Sequence, residues 1–183
     1  PPGSEVVDLT GTTLLPGLID LHVHLGTPEM ELGEDFGVST MAGVVLDAMR
    51  HAPDQRRTML EHGVTTFRSL GDDAAWILEV RDLVADGVLE GPRVVAAGPV
   101  FTSKGGHPVA TIHGGDVQEG VVEVPDTPTA ARARVDALAD AGVDLIKMVH
   151  DRGDPDHRSL EPIATETLNA IVDRAHGRDL RVV

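Results

Sequence analysis

The feature that most constrains the fold of this chain is a regular alternation of apolar, β-branched runs with stripes of helical period. Apolar runs begin near residues 17, 64, 93, 144 and 180. Between them, apolar residues recur at helical spacing. Met41, Val44, Val45, Ala48 and Met49 form one stripe after a cap at Ser39, in a helix that Pro53 should break. A second short helix then runs to Glu61 or His62. Trp76, Ile77, Val80, Leu83 and Val84 form the next stripe, within Ala74 to Asp86, and read as core. Thr127-Pro128 is a cap and first-turn pair for a helix to Ala141, with Gly142 as its stop. Thr165 should cap the last helix, with Leu168, Ile171, Val172 and Ala175 facing inward. Strand and helix in strict alternation predict an α/β fold with a parallel sheet.

The rhythm alone fits a closed barrel or an open doubly wound sheet. The position of the polar residues favours the barrel. His22, His24, Arg68 and Lys147 all fall at or near the C-terminal ends of predicted strands. A (β/α)8 barrel assembles its site there, from several strands. The first predicted strand is not followed by the glycine fingerprint of a dinucleotide fold. The expected architecture is therefore a partial (β/α)8 TIM-type barrel, holding the first four βα units and the start of strand five. In this reading 17–183 is one domain. Residues 1–16 look like the end of a preceding piece, with short extended runs at Glu5–Leu9 and Thr13–Leu15.

Composition narrows the partners. The chain has 183 residues, enough for one sizeable core. Aromatic residues are only 2%, so Val, Leu, Ile and Ala must build that core. A net charge of −15 opposes binding to nucleic acid or anionic membranes. There is no basic-then-apolar leader and no apolar run long enough to span a bilayer. Cysteine is absent, which rules out disulfides and thiolate metal sites. The expectation is a cytoplasmic protein acting on a small molecule.

Two features carry chemistry. His22 and His24 are spaced i, i+2 at the end of an apolar strand expected to be buried. Their side chains should share one face, as two imidazole ligands for a divalent metal would. An isolated pair of this kind is more often two ordinary surface or hydrogen-bonded histidines. Lys147 lies in the apolar run Leu145–Val149. Burial disfavours its ammonium form, and the neutral amine is a nucleophile that can form a Schiff base or add CO2. The plainer alternative is a strand-end lysine reaching solvent or a carboxylate. The segment 98–125 is long and carries Gly105-Gly106-His107. Long connections inside compact domains are often functional. His113, His150 and His157 read as surface residues.

Taken together, these residues resemble the amidohydrolase superfamily. The resemblance rests on Leu15-Pro16-Gly17-Leu18-Ile19-Asp20-Leu21-His22-Val23-His24 and Asp144-Leu145-Ile146-Lys147. His62-Gly63-Val64-Thr65-Thr66-Phe67-Arg68 resembles that family's second strand. Gly91-Pro92-Arg93-Val94 and Gly105-Gly106-His107 resemble the branch of imidazolonepropionase-like and Xaa-Pro dipeptidase-like enzymes. The resemblance implies a metal-dependent hydrolase that cleaves the amide bond of a dipeptide or N-acyl amino acid with a metal-activated water. It implies two divalent metal ions, zinc by expectation. His22 and His24 would hold the more buried ion, and a carbamate on Lys147 would bridge both. His107 resembles a substrate-binding residue, with a purely structural role in the Gly-rich turn as its alternative.

Family members complete the site with later histidines and an aspartate that moves the proton. No catalytic acid or base is identifiable within 1–183, and Val183 falls where the strand-five histidine is expected. The chain thus reads as a fragment, inactive alone, with 1–16 a remnant of an N-terminal β-sandwich domain. Its expected partners are the remainder of its own barrel and further copies of itself. Two alternatives stay open. One is a mononuclear deaminase or cyclic-imidate hydrolase of the same superfamily, which Lys147 counts against. The other is a non-catalytic half-barrel module.

Overall fold

The computed structural model describes residues 3–26, 51–113, 115–117, 119–154 and 158–183. The helix predicted from Ser39 and the surface position predicted for His157 lie outside the described residues.

The predicted runs become parallel strands. β1 (Leu18–Val23) pairs with β2 (Val64–Ser69), and β2 pairs with β3 (Arg93–Ala96). A second sheet holds β4 (Val100–Phe101), β5 (Val122–Glu123), β6 (Leu145–Met148) and β9 (Arg181–Val182), in the order β5-β4-β6-β9. The sheets join where the Asp144 amide donates to the Ala96 carbonyl at 2.8 Å. The Asp144 carboxylate accepts from the Ala96 amide at 2.8 Å in return. The longer strands follow sequence order in space, β1-β2-β3 and then β6-β9, while the short β5 departs from it by lying on the far side of β4 from β6.

Local chemistry explains the element ends. Gly17 precedes β1 because a Cβ there would lie 2.0 Å from the Thr65 Oγ1 of β2. The helical stretch over residues 51–61 is α1. α2 (Ala74–Ala85) is capped by Asp73, whose side chain accepts from the Trp76 amide. α3 (Pro128–Ala141) starts at Thr127, which accepts from the Ala130 amide, and stops at Gly142, whose φ of 91° is left-handed. α4 (Thr165–His176) differs from expectation. Ala164 holds the cap position without a side-chain bond, so Thr165 is the first helical residue.

Other expectations are corrected. Residues 51–61 are helical straight through Pro53. The bond that the proline nitrogen cannot donate would go to residue 49, outside the described residues. No strand forms at residues 5–9 or 13–15, because no neighbouring strand pairs with them among the described residues. The long segment after β3 contains β4 and β5. The loop after β6 contains a small antiparallel pair, β7 (Gly153–Asp154) and β8 (Arg158–Ser159).

The core is aliphatic, with Phe67 and Phe101 as its largest members. It includes Ile77 of α2, Val135 of α3, Ile146 of β6 and Ile171 of α4, all buried. α3 and α4 also share an ion network, in which Arg174 and Arg178 both reach Asp136 at 2.7 Å. Among the described residues, no helix is long and apolar enough to cross a membrane.

Candidate metal centre

Period-two geometry puts His22 and His24 on one face at the end of β1, and their Nε2 atoms lie 3.2 Å apart. The rings are 5.2 Å apart and tilted by 43°. Two nitrogens each about 2.0–2.1 Å from a tetrahedral zinc ion would be separated by about 3.3 Å. The pair therefore fits a shared divalent ion. The same separation fits an N–H···N hydrogen bond when one ring is protonated at Nε2. Among the described residues, no group of three or more His, Cys, Asp or Glu side chains gathers to hold a metal. A third ligand from these residues would have to be of another type.

Lys147 is of that type. It sits in β6 between β4 and β9, with Val100 as its register partner. Its side chain is half-buried. Burial, with the nearby positive charge of Arg68, pushes its ammonium below the ordinary lysine range. The same charges reach His22. Desolvation and the positive Lys147, then His24 and Arg68, hold His22 below the usual imidazole value, opposed by Asp20. A neutral imidazole is the form that binds metal.

His107 joins this group electrostatically. Burial pushes it down, Asp151 pushes it up, and the charges of His24 and Lys147 push it down again. Its Nδ1 lies 2.6 Å from the Thr111 Oγ1. The turn that carries it is packed tightly, which explains its two glycines. A Cβ at Gly105 would lie 2.7 Å from the Glu161 Cβ, and one at Gly106 would lie 2.6 Å from the Thr102 Oγ1. The Glu161 amide donates to the Gly105 carbonyl at 3.0 Å, and the Ser103 hydroxyl donates to the Glu161 carbonyl.

Two readings of the sequence need correction. β1 is not buried: Leu18, Ile19 and Leu21 are 61%, 62% and 59% exposed. It is an edge strand with β2 as its one paired neighbour among the described strands, and both histidines are exposed. His113 is not a surface residue. It is half-buried and feels the charge of His107, and both effects lower its pKa. His150 is exposed, as expected.

The sequence reading also missed the turn after β2. Asp72 is buried, and its carboxylate accepts from the amides of Leu25 and Gly26, immediately after His24. Residues Leu70–Asp73 carried only a turn signal, and nothing local pairs a turn aspartate with a strand end 47 residues away.

Known proteins share this fold. The model of the amidohydrolase family matches residues 13–182. A solved prolidase complexed with N-methylphosphonate-L-proline superposes with a TM-score of 0.78 at 26% identity, covering 99% of this chain and 45% of that one. A Xaa-Pro dipeptidase with bound methionine in its active site gives 0.69 at 25% identity, covering 91% of this chain and 42% of that one. A dihydroorotase of Methanothermobacter thermautotrophicus is 34% identical over 90 residues, or 38% of this chain and 21% of that protein. The chain thus spans less than half the length of these solved structures, and its matched stretch about a fifth of the dihydroorotase. With the family model matching nearly end to end over a parallel α/β sheet, the chain belongs to the amidohydrolase family.

Proposed function

We propose that this chain is the N-terminal, metal-binding half of a hydrolase acting on the amide bond of a dipeptide or N-acyl amino acid. The observation that carries the reading is the 3.2 Å approach of the His22 and His24 Nε2 atoms, within electrostatic reach of Lys147. When bound, divalent ions supply a nucleophilic water at neutral pH and polarise the scissile carbonyl. His22 and His24 would hold one ion through their facing nitrogens. Lys147, with its ammonium form disfavoured, is suited to add CO2: the ammonium gives up one proton, the neutral amine forms an N–C bond as a C=O π pair moves onto oxygen, and a second proton leaves the nitrogen, so a positive group becomes an anionic carbamate. That exchange would turn a charge that repels cations into one that bridges two of them. Zinc suits this nitrogen and oxygen set. His107 would receive a substrate carboxylate or carbonyl oxygen, with Thr111 fixing its ring.

In this proposal β1, β2, β3 with β4, β6 and β9 are the first five strands of a (β/α)8 barrel, and residues 1–16 belong to an adjoining β-sandwich. The exposed side chains of β1 would be covered by the remainder of that barrel. The site's acid/base group would also come from there. Location in the cytoplasm and self-association belong to the same reading.

A second reading, hydrolysis of a cyclic amide, is favoured by the dihydroorotase relatives. A turnover assay of the whole protein separates the two. Xaa-Pro dipeptides and N-acyl amino acids should be cleaved in a chelator-sensitive way. Opening of dihydroorotate with no dipeptide cleavage would replace the first reading with the second.

A further inference from the structure

We infer that Asp72 is a positioning residue that holds the histidine pair in its metal-binding geometry. The inference rests on the metal reading of His22 and His24. Asp72 is 3% exposed, yet among the described residues it makes no ion pair. Its partners are three neutral donors: the Leu25 amide at 3.0 Å, the Gly26 amide at 2.9 Å and the Ser69 hydroxyl. A buried carboxylate is costly, so its presence needs a reason. An ionised carboxylate accepts several hydrogen bonds and donates none. An asparagine there would turn its NH2 group toward one of those donors.

The place matters as much as the chemistry. The β1–β2 register shifts between Asp20 and Val23, across the first histidine. The regular ladder therefore does not hold this end of the strand. Other bonds do. Arg68 Nε donates to the Leu21 carbonyl at 2.8 Å, and the Leu70 amide donates to the Val23 carbonyl at 2.9 Å. Asp72 then grips the two residues after His24. Gly71 lies directly behind the His24 ring, where a Cβ would be 3.0 Å from Cε1 and 3.1 Å from Nδ1. Both histidines are exposed, so side-chain packing alone does not fix them. The turn after β2 is thus a cradle for the end of β1, with Asp72 as its anchor.

The test is zinc affinity of the whole protein, stripped by chelator and titrated with zinc alone against a chromophoric competitor. Melting of the metal-free form is followed in parallel. Asp72→Asn should weaken zinc binding about 10-fold or more, the range for groups that support metal ligands from behind. Ser69→Ala, which removes one donor to Asp72, should weaken it less and in the same direction. Asp136→Asn breaks the α3–α4 ion network far from the site, and should lower the melting temperature while leaving zinc affinity unchanged. Wild-type affinity in Asp72→Asn would overturn the role, as would losses that track melting temperature across all three variants. If Asp72→Asn fails to fold, Ser69→Ala decides, and unchanged affinity there overturns it. A wild-type protein that binds no zinc would overturn the metal reading itself, and this role with it.

Discussion

The strand that carries the two histidines and the strand that carries Lys147 are secured in opposite ways. β6 lies between β4 and β9, with Ile146 wholly buried in the core that also holds Val135 of α3 and Ile171 of α4. Among the described strands β1 pairs with β2 alone, its ladder is irregular across His22, and its apolar side chains Leu18, Ile19 and Leu21 are exposed. Packing holds one arm of the site. Polar pins from the neighbouring turn, through Asp72 and Arg68, hold the other. Such pins depend on individual atoms, so the histidine arm should respond to small polar changes that the lysine arm would ignore. Conversely, the lysine arm should respond to lost volume.

The largest expected effect is therefore on stability, from Ile146→Ala. Truncating this buried residue should cost about 2–5 kcal/mol, measured by denaturant unfolding. A loss below about 1 kcal/mol would mean that β6 is not held by packing, and the contrast would fail. Next comes Lys147→Met. Activity should fall more than about 100-fold, beyond what loss of a supporting group costs. The melting temperature should hold or rise, because a half-buried ammonium has been removed. Unchanged turnover would sever Lys147 from the site.

Gly71→Ala should be milder. Its φ of 134° is strained for any residue with a Cβ, and the new methyl would press on the His24 ring. A loss of about 1–3 kcal/mol is expected, with weaker metal binding. A loss of stability with intact metal affinity would show that the turn supports the fold and not the histidine.

The smallest effect is on pH dependence. His113 feels the charge of His107, and burial holds both below the ordinary imidazole value of 6.5. Well above that value, the folded and unfolded forms are alike neutral. As pH falls through it, the unfolded chain takes up protons first, so stability declines. Melting temperatures at pH 5 and pH 7.5 should show this slope, and His113→Gln should flatten it. An identical slope in the variant would mean that His113 carries no such penalty.

The sequence made the major elements legible wherever a local rule was strong. Thr127-Pro128 and Gly142 mark both ends of α3 within a residue, because cap chemistry is local. The five main strands show in their β-branched runs, and the His22–His24 pair follows from period two. What stayed hidden depended on neighbours. β4, β5, β7 and β8 have two residues each, too short to show any period. The exposure of β1 reflects what lies beside it, which an apolar run does not encode. Asp72 read as a turn residue because its partners lie 46 and 47 positions away.

The most direct test of the central claim is metal stoichiometry. The whole protein, saturated with zinc and freed of excess, should retain two ions per chain by elemental mass spectrometry. The Lys147→Ala variant should retain no more than one. Fewer than one ion in the wild type, or two in both proteins, would contradict a site built from His22, His24 and a bridging Lys147.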